Sequence, residues 1–301
     1  MLVDTIAKDL SLPPAYVSKL ARTAGHRYKT YAIKKRGGGT RTISHPAREL
    51  KLLQRWLIKN VFVQFSVHRA ATAYKKGASV ARNAGLHRKF NYLRKVDFQD
   101  FFPSIRGVDV LNLLRNQHRK RGEEFTELDR ELVRDLVCRG GSLTIGAPSS
   151  PIVSNLVMFE FDKQWSAYCR DRKIVYSRYA DDLYFSTNSR DILGPLFADL
   201  RQDLQHRQSP RLRINEAKTV FTSRKRRKLV TGLVITPTGE VSLGRARKRF
   251  IKSLTFRNSR AQLSPEMAQS LYGTLAYARS VEPSFVDALR RKYGAAAIGN
   301  I

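Results

Sequence analysis

The sequence predicts an α+β fold, and three observations predict it. Short alternating runs of strand type are mixed with segments of helix period. The two do not alternate as the regular βαβ units of a doubly wound sheet. Hydrophobic residues make up 42% of the 301 residues, enough for a packed core rather than a disordered chain.

Taken in order, residues 1–30 read as two short helices. Ser11-Leu12-Pro13-Pro14 separates them, since Ser and Pro suit a helix start. Residues 28–35 and 40–44 read as strands joined by Arg36-Gly37-Gly38-Gly39, with His45-Pro46 ending the second. Leu50, Leu53, Trp56, Leu57 and Val61 recur at helix spacing across residues 48–65. A strand covers 92–98, and Pro103 closes the segment after it. Helices cover 108–118 and 126–138, the second stopped by Gly140-Gly141. Pro148 and Pro151 bracket a tight loop, and 152–168 reads as one long amphipathic helix. Residues 174–179 and 183–187 flank a short acidic turn and read as a hairpin. A helix over 193–206 and strands over 211–214 and 230–235 follow. The chain from Leu243 onward reads as helical and basic.

Charge bounds the partners. Lys and Arg number 56 against 25 Asp and Glu, a formal net charge of +31. So large an excess opposes compaction unless an anion neutralises it, and nucleic acid is the expected partner. A membrane surface would call for a basic amphipathic helix, whereas these charges are spread along the whole chain. No run of about 18 apolar residues is present, so no membrane span is expected. The first 20 residues lack the apolar stretch of a signal peptide. Cys138 and Cys169 sit in apolar helical stretches without a CxxC spacing, which suits buried thiols in a reducing, cytoplasmic setting.

The chemistry starts at Arg178-Tyr179-Ala180-Asp181-Asp182-Leu183. An Asp-Asp pair alone is an ordinary polar turn. Val96-Asp97-Phe98 adds a carboxylate at the end of an apolar strand, where an unpaired charge is costly. Neighbouring strands would gather three like charges, which calls for a cation between them. Magnesium suits an all-oxygen site completed by substrate phosphates. Two such ions about 4 Å apart promote in-line displacement at phosphorus, the chemistry of nucleotide addition.

Tyr179-Ala180-Asp181-Asp182 resembles the palm signature of reverse transcriptases, and Asp97 with Phe101-Phe102 resembles their other acidic palm motif. The resemblance implies a right-hand polymerase fold with fingers, palm and thumb. It implies Asp97, Asp181 and Asp182 as catalytic metal ligands for two Mg²⁺ ions. Phe102 falls on the position of the steric gate against a ribose 2′-hydroxyl, with a core aromatic as the plainer reading. Gly39-Thr40-Arg41-Thr42-Ile43 resembles the fingers hairpin, with Arg41 on the triphosphate of the incoming dNTP. Gly146-Ala147-Pro148-Ser149-Ser150-Pro151, followed by Ser154-Asn155, resembles the loop packed on the nucleotide. Relatives carry Pro-Gln before this glycine, and this chain has Thr144-Ile145. Asn215-Glu216-Ala217-Lys218 resembles the segment whose lysine protonates pyrophosphate, against a surface lysine as the alternative.

Asn83-Ala84-Gly85-Leu86-His87 and Val230-Thr231-Gly232 resemble signatures of retron reverse transcriptases, as does Arg291-Lys292-Tyr293-Gly294. The resemblance implies a cognate structured non-coding RNA and priming from a guanosine 2′-hydroxyl. It implies branched multicopy single-stranded DNA as product and a defence role with a separately encoded effector. Asn83, His87 and Thr231 become RNA-binding candidates, with a cap or a satisfied core residue as the other readings of His87. Arg226 and Arg227, in the dense run 224–228, and Arg245, Arg247, Lys248 and Arg249, opening the last helices, are expected on phosphates. Tyr272, Tyr277 and Tyr293 suit base stacking or the core equally. The expected lobes are N-terminal helices and fingers over 1–90, palm over 91–240 with a fingers insertion near 105–145, and a basic helical thumb over 241–301. No room for a ribonuclease H segment is expected after about residue 240. A non-catalytic RNA-binding scaffold would be expected to lose a palm acid. An intron-type enzyme would carry a longer C-terminal extension.

Overall fold

The computed structural model describes residues 1–34, 38–121 and 125–299. Leu2–Leu10 (α1) and Pro14–Arg22 (α2) are the two N-terminal helices. Ser11 ends α1 in the left-handed region at φ 53°, and Pro14 opens α2, where a missing N–H costs nothing. Tyr28–Lys34 (β1) and Thr40–Pro46 (β2) pair antiparallel. β2 continues through His45 and Pro46, past its expected end, because both keep partners in Lys29 and Tyr28. Lys35, the expected end of the first strand, and Arg36 and Gly37 of the expected turn lie outside the described residues.

Arg48–Asn60 (α3) buries Leu50, Leu53, Trp56 and Leu57, the expected helix stripe. Val80–His87 (α4) follows, capped by the Ser79 side chain accepting the Arg82 N–H at 2.9 Å. Tyr92–Gln99 (β3) leads into Phe101–Ser104 (α5) and Gly107–Arg121 (α6). Glu127–Val137 (α7) starts on a reciprocal capping box between Thr126 and Asp129. The expected helix over 152–168 is two helices, Ser150–Val157 (α8) and Phe159–Asp171 (α9), bent at Met158. Met158 is fully buried, so the apolar pattern runs through the bend and hides it.

Val175–Tyr179 (β4) and Asp182–Thr187 (β5) make the expected hairpin, followed by Leu193–His206 (α10). Arg213–Ile214 (β6) is shorter than expected, and Val220–Ser223 (β7) precedes the basic run. The strand expected over 230–235 is itself a hairpin, Lys228–Val230 (β8) and Leu233–Ile235 (β9). Thr231 and Gly232 both have positive φ, 48° and 76°, the requirement of a two-residue hairpin turn. A β-branched residue in that region is unusual, which is why the sequence conceals this turn. Val241–Ser242 (β10) pairs with β9, and Arg245–Ser259 (α11), Pro265–Val281 (α12) and Pro283–Tyr293 (α13) close the fold.

The central sheet runs β4-β5-β3, with β6 and β7 both on the far edge of β3. One core joins α1–α3, α6–α10 and one face of that sheet. A second joins α11–α13, the β10-β9-β8 sheet and α4, with Leu93 and Tyr184 reaching in from the central sheet. No helix among the described residues is long and apolar enough to cross a membrane.

Candidate active site

Three carboxylates lie at the end where β3 and β5 pair. Asp97 lies opposite Asp182 in the antiparallel register. Tyr179 pairs with Asp182, so Ala180 and Asp181 alone form the turn, with Ala180 at φ 58°. Only Asp181 is therefore a turn residue; Asp182 is the first residue of β5, not part of the acidic turn expected from the sequence. The Asp181 carbonyl accepts the Phe98 N–H at 3.0 Å, which fixes the turn against the strand that carries Asp97. Burial raises the Asp181 carboxyl above its ordinary range, and the charge of Asp97 adds to it. Burial also pushes Asp182 up to about 6, opposed by Lys95 and reinforced by Asp181. Lys218 Nζ contacts Asp97 Oδ1 at 3.2 Å and Lys95 Nζ contacts Asp182 Oδ1 at 2.8 Å. The Lys95 contact is an ion pair off hydrogen-bond geometry, because that same buried Asp182 oxygen has no hydrogen-bond donor.

Two buried networks aim this turn. Arg178 is fully buried and makes a forked pair with Asp162, its Nη2 at 2.6 Å from Oδ2. Its Nη1 donates to Asn155 Oδ1 and to the Ala180 carbonyl, both at 3.1 Å, so α8 and α9 hold the turn from beneath. On the other side, Tyr184 donates to Asp182 Oδ2 at 2.9 Å and accepts the Thr231 N–H at 3.0 Å. Arg178, Asp162 and Tyr184 were not singled out by the sequence. An arginine and an aspartate inside apolar stretches were the available signal.

A cleft of about 1150 Å³ opens beside the carboxylates. Arg41 on β2, Phe102 on α5, Asp181, Asn215 and Lys218 all line it. Thr144 and Ile145 line it where glutamine was expected, and the Ile145 carbonyl is taken by the Ser44 N–H at 2.8 Å. Gly146 and Ala147 do not line it. Gly146 has φ 114°, and a Cβ there would meet the Ser44 carbonyl oxygen at 2.7 Å. It is a glycine because the loop packs on β2, and Ala147 is buried. Gly146 is exposed beside Ile145 of the cleft wall. A smaller cleft of about 650 Å³, lined by Arg201, Arg207, Arg211 and Arg213, lies away from the carboxylates.

The family model described as reverse transcriptase (RNA-dependent DNA polymerase) matches residues 33–242. The Escherichia coli protein named retron Ec83 reverse transcriptase is 37% identical over 93% of this chain and 91% of its own length. The retron Ec73 enzyme of the same species is 35% identical over 88% of this chain and 86% of its own. This chain belongs to the retron reverse transcriptases. It is an RNA-directed DNA polymerase. Among solved structures, an apo telomerase from Candida tropicalis superposes with a TM-score of 0.57 at 15% identity, over 90% of this chain. A Candida albicans telomerase, solved with a TWJ fragment of telomeric RNA, gives 0.54 at 12% over 94%. The chain spans 56% and 64% of those two, and the likeness carries the right-hand fold alone.

Reverse transcriptases depend on divalent metal, and the donors here fit one. The set is all carboxylate oxygen, two of its members have raised proton affinity, and one buried oxygen lacks a donor. The three groups are not gathered into a closed cage: no ready cluster of three metal-ligating side chains exists among the described residues. The Lys95 and Lys218 ammoniums sit on two of them instead.

The remaining candidates of this retron enzyme divide. Arg226, Arg227, Arg245 and Arg249 are exposed. Arg247 donates to Tyr277 Oη at 3.3 Å, and Lys248 is held by Glu282, the residue between α12 and α13, so Lys248 ties α11 to that junction. Asn83 and His87 are corrected from RNA contacts to core residues, being fully buried. His87 bonds Ser186 Oγ at 2.7 Å and Ser177 Oγ at 2.8 Å, and Asn83 Oδ1 accepts from Ser177 and Thr72. Ser177 spends its proton on Asn83, so its oxygen accepts from His87 Nε2–H. Burial lowers the His87 pKa to about 3. Thr231 is likewise spent within the protein, its hydroxyl on the Val80 carbonyl at 2.9 Å.

Proposed function

We propose that this enzyme copies part of a cognate structured non-coding RNA into branched multicopy single-stranded DNA, starting from a guanosine 2′-hydroxyl of that RNA. The observation that carries the polymerase chemistry is Asp97 in register with Asp182 beside Asp181, the last of which lines a cleft with Arg41, Phe102 and Lys218. The names of its relatives support the retron product.

In this reading Asp97, Asp181 and Asp182 would hold two Mg²⁺ ions. When bound, such ions lower the pKa of the attacking hydroxyl and neutralise the departing pyrophosphate. Arg41 orients the triphosphate of the dNTP through its planar fork. Phe102 occupies the space of a ribose 2′-hydroxyl. The Lys218 side chain is 58% exposed at the cleft, so its ammonium reaches Asp97 or a bound phosphate and holds the proton for the leaving group. Arg226, Arg227, Arg245 and Arg249 grip RNA phosphates.

Residues 1–90 serve as N-terminal helices and fingers, 91–240 as palm with its insertion near 105–145, and 241–301 as thumb. The cytoplasm is the setting, and a separately encoded effector partners the enzyme and its DNA in defence against phage. The test is co-expression with the neighbouring intergenic region, beside Asp181→Asn/Asp182→Asn. We expect a short DNA that shifts in size after ribonuclease or debranching treatment, absent from the variant. A linear DNA unaffected by either treatment would refute branching, and DNA persisting in the variant would refute these carboxylates.

A further inference from the structure

We propose that Tyr74 is a specificity-determining residue for the sugar of the incoming nucleotide, acting as the outer clamp on the ring of Phe102. This rests on the reading of Phe102 as the gate.

The Phe102 ring has two aromatic neighbours. Phe101 lies 5.5 Å away between centroids, inclined at 59°, and is itself buried and stacked on Phe98 at 6.0 Å. Tyr74 lies at 6.3 Å, inclined at 42°, and lines the same cleft as Phe102 and Asp181. Without Tyr74, Phe101 would be the one aromatic neighbour left to Phe102 among the described residues, beside the core it packs on. A gate discriminates by the placement of one ring, so freedom on the cleft side translates into lost selectivity.

Its backbone gives a second, independent reason. Tyr74 has φ 58°, an outlier for an aromatic residue that costs about 1–3 kcal/mol. The preceding strap is stitched down so that this conformation persists. Arg178 N–H donates to the Ala70 carbonyl at 2.8 Å, Thr72 N–H to the Arg178 carbonyl at 2.7 Å, and Asn155 Nδ2 to the Ala73 carbonyl at 2.8 Å. The ring these bonds present is 42% exposed and its hydroxyl makes no hydrogen bond among the described residues, so neither core burial nor a polar partner explains the strain. The strap is anchored on Arg178 and Asn155, the residues that also bear the Asp181 turn. Gate and carboxylates are thereby referenced to one rigid frame.

The test is primer extension by the full chain on an RNA template with a DNA primer, reading the ratio of kcat/KM for a dNTP over the matching rNTP. Tyr74→Phe keeps the ring and should hold the ratio within about twofold. Tyr74→Gly, which suits the backbone and deletes the ring, should lower it about tenfold or more, toward the value of Phe102→Ala. The double variant should lose little beyond Phe102→Ala, because both act through one ring. An unchanged ratio in Tyr74→Gly, with Phe102→Ala losing selectivity, would leave the gate standing and overturn the role of Tyr74. An unchanged ratio in Phe102→Ala would remove the gate itself and this role with it.

Discussion

Single residues in this enzyme are set by what burial does to their charge. His87 illustrates it: an imidazole enclosed between two serines is kept neutral by burial, and the charge of Lys228 adds to the effect. Its pKa is near 6.5 in the unfolded chain and about 3 in the folded one. The unfolded chain therefore takes up a proton first as pH falls. Stability is complete above about pH 6.5 and is lost as pH drops from there toward 3. Between pH 7 and pH 5 the loss from this one group is about 2 kcal/mol. Urea denaturation of wild type and His87→Gln at both pH values measures it: the stability difference between them should shift by about that amount toward the variant. A difference independent of pH would mean that His87 takes up its proton as readily in the fold as in the unfolded chain. The sequence pattern around His87 was legible, whereas its role was not, since periodicity cannot separate a core histidine from one on a surface.

Elements set the geometry that residues exploit. The β4–β5 hairpin presents Asp181 and Asp182, and the β8–β9 hairpin reaches back to the same carboxylate through Thr231 N–H and Tyr184. Tyr184→Phe removes one donor from Asp182 and leaves the Thr231 N–H without an acceptor, at a cost of about 1–3 kcal/mol in stability. Outer partners of metal ligands commonly carry about 10–100-fold in metal affinity or activity. The half-saturating divalent metal concentration in primer extension should rise about tenfold in Tyr184→Phe. A lower melting temperature with an unchanged metal midpoint would confine Tyr184 to structure. Val230-Thr231-Gly232 stood out in the sequence as a signature, and its work as a turn keyed to Asp182 became visible only once Thr231 was seen at positive φ.

For the whole molecule, the +31 charge is the dominant property. It is unevenly available, because partners within the fold consume some of it. Lys248 is spent on Glu282, Lys228 is buried with its Nζ on the Phe90 carbonyl, and Arg178 is spent on Asp162. Arg245 and Arg249 remain exposed on α11. Replacing both by Ala should weaken RNA binding and reduce the slope of log affinity against log salt by about 1.5–2, from two lost phosphate contacts. An unchanged slope, read by filter binding from low to high salt, would place the RNA on another face.

The sequence by itself determined the fold class and the family, and it picked out as a set the three carboxylates proposed here as catalytic. Those signals are local: Asp-Asp between alternating runs, an acid closing an apolar strand, and short strings in fixed order. It also placed most helices, because helix period is written in consecutive residues. Only the tertiary structure decided which polar residues face the cleft and which lie beneath it. Asn83, His87 and Thr231 turned inward, Gly146 packed against β2, and Tyr74 and Tyr184 took posts that no motif marked. The physical reason is that exposure and hydrogen-bond partnership depend on segments far apart in the chain, such as Thr72 with Arg178 and Val80 with Thr231. Residue type and spacing fix what a side chain can do; the packing of distant elements fixes what is left for it to do it to.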